Sequence, residues 1–248
     1  MRVFLAGLCC SDIQKWYLKD PVYPKYVLES FYYLEPWLFA MPGFEIENFL
    51  MDSGAYTFMA QKKKEKVDWD KYVEKYAETI VKRKIKYFFE LDIDNLVGLS
   101  EVERLREKLE LLTGKKSIPV WHRSRGKQYW LDMIANYQYV AIGGIVTKEI
   151  RQKEHPVFSW FLEQAREKNT KVHGLGYTNA DGLTKYRFYS VDSTSWIGGR
   201  FAILYSFNGE RIKQIRNPPN SRMLTYKRVD THNMKEWIKF QKYADERL

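Results

Sequence analysis

Asp52, Asp92, Asp192 and His122 each follow a short apolar run, and Gly143-Gly144 and Gly176 close two more. Carboxylates gathered at one point suit work on a glycosidic bond. One attacks the anomeric carbon to give a covalent glycosyl-enzyme, and another moves the proton. The two roles need different environments, and burial with like-charge proximity separates their pKa values. Glycines carry no Cβ, so a flat base can approach their backbone closely, and His122 offers a donor to a base edge. A single strand-end aspartate is often only a turn former; three beside a histidine and paired glycines favour a shared site. His173 lies inside an apolar run and reads as structural, while His155 and His232 read as surface residues.

Such residues meet only if the elements before them end at one place. Runs at 3–8, 48–51, 87–91, 117–121, 139–142, 171–174, 188–191 and 201–207 read as strands. Helical patterns fall between them, at about 69–84, 100–112, 127–136, 156–168 and 180–186. Asp68 is placed to cap the first, and Ser100 with Glu103 has capping-box spacing for the second. A tail from 217 is Pro-rich and then helical from about 233. Strands alternating with helices mean parallel β/α units. Eight of them in 248 residues predict a single-domain α/β protein, a TIM-like (β/α)8 barrel with its core at about 3–207. A doubly wound open sheet is the alternative. No GxGxxG or GxxxxGK[ST] occurs, which removes the usual support for dinucleotide and P-loop readings. In a barrel the polar residues above converge on one mouth.

The formal charge is +10, from 41 Lys+Arg against 31 Asp+Glu. That balance favours a polyanionic partner without requiring one. Aromatics make up 16%, mostly core packing, with some able to stack on bases. The cysteines, Cys9 and Cys10, are adjacent, which suits a reducing cytoplasm and leaves no thiolate zinc site beyond the pair. No catalytic metal and no cofactor are expected. No stretch approaches the ~20 apolar residues of a membrane span. The Lys62-Lys63-Lys64 run reads as a solvated loop.

Four segments resemble a family. Met51-Asp52-Ser53-Gly54-Ala55-Tyr56 is similar to the DSGG(F/Y)Q motif of the tRNA-guanine transglycosylases. The run from Val140 to Ile145 resembles their GG-L segment, and Val172-His173-Gly174-Leu175-Gly176 their GVG-type turn. Ser190-Val191-Asp192-Ser193-Thr194 sits where that family carries its nucleophile. The resemblance runs from about residue 3 to 206. It implies a ping-pong base exchange in which Asp192 attacks C1′ and expels guanine, and Asp52 serves as general base or acid for the entering 7-deazaguanine. It also implies that Asp92, or Asp94 as its competitor, reads the guanine amide edge, and that Ser53, Gly54, Gly143, Gly144, Ile145 and Gly174 surround the base. His122 stands where the family usually has Gln.

The cysteine-rich zinc site of the tRNA enzymes is missing here, so their zinc subdomain is expected to be absent or replaced. The segments from Asp52 to Gly54 and from Asp192 to Trp196 look closer to the phage and bacterial DNA-guanine transglycosylases. The partners this implies are DNA and a free 7-deazaguanine such as 7-cyano-7-deazaguanine (preQ0), in the cytoplasm of a bacterial host. A homo-oligomer or a helper protein stays open. The target base must leave the duplex stack, with Trp196, Tyr56 and Phe58 as candidates to stack on it. Arg123, Arg125, Lys127, Arg200, Arg211, Lys213 and Arg216 would contact phosphates. The competing readings are a tRNA exchanger, an N-glycosidase that passes the sugar to water, and an inert nucleic-acid-binding barrel.

Overall fold

The computed structural model describes residues 1–9, 22–60, 67–201, 203–215 and 226–248. Among them, eight short strands pair in parallel in one curled sheet: β1 (Arg2–Ala6), β2 (Val27–Ser30), β3 (Phe49–Asp52), β4 (Tyr87–Phe88), β5 (Val120–Trp121), β6 (Tyr139–Ile142), β7 (Lys171–Gly174) and β8 (Ser190–Ser193). Their spatial order is β4-β3-β2-β1-β8-β7-β6-β5. Between the two outer strands, Phe89, just after β4, and Ile118, just before β5, form a parallel bridge, with Ile118 N donating to Phe88 O (2.8 Å) and Glu90 N to Ile118 O (3.0 Å). The sheet is compatible with a TIM-like barrel.

Helices follow most strands: α1 (Ala55–Ala60), α2 (Trp69–Lys82), α3 (Asp94–Val97), α4 (Leu99–Thr113), α5 (Gly126–Asn136), α6 (Val157–Glu167), α7 (Ala180–Lys185) and α8 (Tyr226–Arg247). Asp68 caps α2, accepting from Lys71 N at 3.1 Å. The capping box expected at Ser100 is not formed. Gly98, at φ +85°, precedes α4, which begins one residue earlier at Leu99.

Two-residue alternation divides the core. Phe4, Ala6, Tyr26, Leu28, Leu50, Phe89, Ile118, Val120, Tyr139 and Ala141 pack together inside the sheet's curl. Their neighbours Val3, Leu5, Val27, Phe49, Met51, Val140, Ile142 and Val191 join the helices in the larger outer cluster. With both faces buried, the strands read as continuous apolar runs. The inner alternation, carried one step further toward the carboxyl ends, passes from Leu28 to Ser30, Leu50 to Asp52, Val120 to His122 and Ala141 to Gly143. On β8 it passes from Ser190 to Asp192.

The count of eight strands agrees with expectation, but the set does not. Val27–Ser30 is a sheet strand outside the runs where strands are expected. The expected eighth strand is not in the sheet: Leu204–Phe207 (β9) pairs antiparallel with Ile212–Ile215 (β10). Asn208 to Arg211 connect them: Asn208 N donates to Arg211 O at 3.1 Å, and Gly209, at φ +99°, turns the chain with Glu210. Buried polar residues of α8 hold this hairpin: Asn233 Oδ1 accepts from Tyr205 N at 2.8 Å, and Glu236 Oε2 from Phe207 N at 2.7 Å. α8 begins at Tyr226, earlier than expected, and its Gln241 amide donates to Val3 O and Tyr26 O at 2.7 and 2.9 Å. Among the described residues, no helix is long and apolar enough to cross a membrane. The Lys62–Lys64 run, Cys10, Arg216 and the Pro-rich start of the tail lie outside the described residues.

Candidate active site

The carboxyl ends of the strands surround a cavity of about 290 Å³, whose lining includes Asp52, Asp92, His122, Gly143, Gly144 and Asp192. These residues belong to five different strand ends, and only the curl of the sheet brings them together.

Asp192 is held from below. Its Oδ1 accepts from Gly176 N at 2.7 Å and lies 3.1 Å from His173 Nε2. The other ring nitrogen of His173 lies 2.7 Å from Ser190 Oγ, which in turn is hydrogen-bonded to Tyr139 Oη. His173 is fully buried, with Phe4 and Phe89 edge-on to its ring. Its burial within the strand fits a structural place, and it also anchors the carboxylate that the family resemblance makes the nucleophile. Oδ2 of Asp192 has no hydrogen-bond partner among the described residues.

Asp52 ends β3, its backbone fixed by neighbours of α2: Tyr72 Oη donates to Ser53 O at 2.7 Å, and Tyr76 Oη to Met51 O at 3.2 Å. Its Oδ2 accepts from Gly54 N at 2.9 Å. Burial pushes the Asp52 carboxyl up to about 7, and the charges of Asp92 and Asp192 push the same way, against the Gly54 amide. Such a group exchanges a proton readily near neutrality.

His122 Nε2 lies 2.9 Å from Asp92 Oδ2, and Glu149 Oε2 stands 3.6 Å from its Nδ1. Burial disfavours a charged ring, but the two flanking carboxylates outweigh it and raise the pKa to about 10. His122 is therefore an imidazolium at neutral pH. Glu149, in the same contact, is held below its usual range by the hydrogen bond to His122. Gly143 sits against this ring: a Cβ there would come within 2.7 Å of His122 Cε1.

Glu29, on β2, is a further buried carboxylate at the cavity. It accepts from Cys9 N at 2.7 Å and Ser30 N at 3.1 Å, tying the loop after β1 to the end of β2. Burial raises its pKa to about 7, against those amide contacts. Neither Glu29 nor Glu149 was singled out in the sequence. The one available signal was an acidic residue inside the apolar VLES run.

Other expected residues lie elsewhere. Asp94 is gripped by Arg125, with Nε to Oδ1 at 2.9 Å and Nη2 to Oδ2 at 2.7 Å, and does not line the cavity. Arg125 is not a phosphate contact: its side chain is 0% exposed and also pairs with Glu90 at 2.7 Å. Nor can Trp196 stack on a base, for it is fully buried and donates to Ala6 O at 2.9 Å. Ser53 is buried, and Ser53, Gly54 and Gly174 are absent from the lining. Gly54, at φ +86°, lets Tyr32 and Tyr72 close in, and Gly174 is packed under Phe188 and Tyr177. Ile145 lines a neighbouring cleft instead. Tyr56 is exposed and lines the cavity, whereas Phe58 packs edge-on to Tyr32, Trp69 and Tyr72. Arg123 is exposed but pairs with Glu154 at 2.7 Å, and Lys127 lies over the Trp160 ring. Arg200 falls in a short 3-10 turn, and its side chain lies outside the described residues. Among the described residues, no three His, Cys, Asp or Glu side chains group as a metal site.

No protein-family model matches the chain, and no curated protein matches it significantly.

Proposed function

We propose that this chain is a nucleic-acid base-exchange enzyme, a DNA-guanine transglycosylase built on a single closed (β/α)8 barrel. It replaces guanine in DNA with a 7-deazaguanine such as preQ0. The observation that carries the reading is the difference between two carboxylates in one cavity. Asp192 is anchored through Oδ1 alone, while Asp52 holds a proton up to about pH 7. This is the division of labour that glycosyl transfer through a covalent intermediate requires. The cavity sits near the small end of ligand sites, which begin at about 300 Å³.

In the first half-reaction Asp192 Oδ2 attacks C1′. The C1′–N9 bond breaks, its electron pair stays on guanine N9, and the Asp52 carboxyl supplies the proton. Guanine leaves, and the sugar remains as an ester of Asp192. In the second half-reaction the 7-deazaguanine gives its N9 proton to the Asp52 carboxylate and attacks C1′. The ester bond breaks and Asp192 returns as carboxylate. Asp92, oriented by the His122 imidazolium, accepts from the N–H edge of either base. Gly143 and Gly144 line that side of the cavity, and their missing Cβ atoms make room for the His122 ring and for Glu149.

Release of radiolabelled guanine from DNA and from tRNA, with and without added preQ0, tests this. Release from DNA that needs both preQ0 and Asp192 is the expected result. Release from tRNA alone would move the substrate to tRNA. Release without preQ0 would indicate a glycosidase, and no release from either would overturn the reading.

A further inference from the structure

The cavity is lined by four carboxyl groups, Asp52, Asp92, Asp192 and Glu29, and by one cationic ring, which Glu149 flanks. A polyanionic strand that delivers a nucleotide there must therefore be neutralised outside it. The arginines at the mouth do not serve, since Arg125 is buried in ion pairs and Arg123 is bound to Glu154. Two cations nearby are differently placed. Beside the cavity lies a cleft of about 500 Å³ between the loop after β6 and the loop after β7. Gly176 lines both spaces, and Val146, which lines the cavity, stands against it. A Cβ on Gly176 would meet Val146 Cγ2 at 2.2 Å.

Lys148 and Arg151 line this cleft, are exposed, and form no ion pair among the described residues. Arg151 gives Glu154 its backbone amide, at 3.1 Å. Lys148 has φ +64°, a conformation uncommon for a long side chain. Hydrogen bonds from Lys148 N to Ile145 O (3.2 Å) and from Ile150 N to Gly144 O (3.0 Å) hold it there. The loop that carries the paired glycines into the cavity thus turns Lys148 into the adjoining cleft. Gln152 and Thr178 add neutral polar groups. On the floor, His155 is buried rather than on the surface, stacked on Phe158 at 5.0 Å.

We propose that this cleft binds the sugar-phosphate backbone flanking the nucleotide held in the cavity, with Lys148 and Arg151 as phosphate contacts. The proposal rests on the nucleic-acid reading above. The contacts would fix where the strand leaves the cavity and carry no sequence information.

The test is fluorescence anisotropy of a fluorescein-labelled 20-nucleotide single-stranded DNA in 50–200 mM KCl. Wild type is compared with Lys148→Ala/Arg151→Ala. The control is Lys86→Ala/Lys171→Ala, which removes the same charge at the opposite ends of β4 and β7. Each phosphate contact on a single strand contributes about 0.7 to the log–log salt slope. The cleft pair should therefore lower the slope by about 1.4 and raise KM for the strand, with KM for the free base unchanged. The control should leave the slope close to wild type. Equal losses in both pairs, or no loss in the cleft pair, would overturn the cleft while leaving the nucleic-acid reading intact. A wild-type protein that binds no strand would overturn both.

Discussion

His173 Nε2 lies 3.1 Å from Asp192 Oδ1, the same oxygen that accepts the Gly176 amide at 2.7 Å. Both contacts fall on one oxygen, so in the proposed reaction the other is the one left to attack. His173→Ala should lower kcat on the order of 100-fold, the cost of displacing a reacting group by about an ångström, with little change in KM for the free base. His173→Gln, which keeps an N–H donor in the interior, should recover part of kcat. Steady-state kinetics of the three proteins check this. A fall in KM and kcat together, unrelieved by Gln, would make His173 a packing residue only.

In the proposed exchange, the Asp52 carboxyl, raised to about 7, would give the two half-reactions opposite pH dependence. Expulsion of guanine needs it protonated, so kcat/KM for the nucleic acid should fall as pH rises through about 7. Entry of the new base needs it ionised. By then Asp192 is an ester and no longer repels it, so kcat/KM for the base should rise through a pH below 7. Replacing Asp192 by Asn should lower the Asp52 pKa in the free protein, which carboxyl 13C NMR can follow. An unchanged titration would mean that burial and Asp92 set it without Asp192.

The parallel β/α plan was legible because strands buried on both faces leave unbroken apolar runs. The Asp52, His122 and Asp192 positions were legible because each run stops on a polar residue. β2 was not. It is four residues long, and an aromatic FYYLEPWLF stretch without strand or helix period follows it. Glu29 was hidden with it. The FAILYSF run has the composition of a sheet strand, and only the turn at Gly209-Glu210, followed by Ile212–Ile215, distinguishes it as half of a hairpin. Spacing could not separate Asp92 from Asp94; contacts do, since Asp92 faces His122 and Asp94 faces Arg125. Nor does a formal charge tell a buried arginine from a free one.

Arg125 illustrates that last point. Its guanidinium joins Glu90 on one side and Asp94 on the other, and Arg106 reaches Glu90 at 3.0 Å. Removing one partner of such a network leaves a buried charge uncompensated, at about 3–5 kcal/mol. Arg125→Ala should lose that much stability in urea unfolding. Arg123→Ala, whose ion pair is half exposed, should lose no more than about 1 kcal/mol. Equal and small losses would mean that water reaches Glu90.

Gly143 offers the sharpest test of how the base wall is built. A methyl group there would stand 2.7 Å from His122 Cε1 and 2.9 Å from Val120 Cγ1. Neither neighbour can yield cheaply: Val120 is fully buried, and His122 is fixed by Asp92 and Glu149. Forcing an extra methyl into packed surroundings costs about 1–3 kcal/mol. Gly143→Ala should push the imidazolium off Asp92 and raise KM for the entering base by roughly tenfold or more. Asp192 and His173 are on other strands, so the glycosyl ester should still form in single-turnover trapping with the nucleic acid alone. Loss of trapping as well as base affinity would show that Gly143 supports the whole mouth and not the base wall alone.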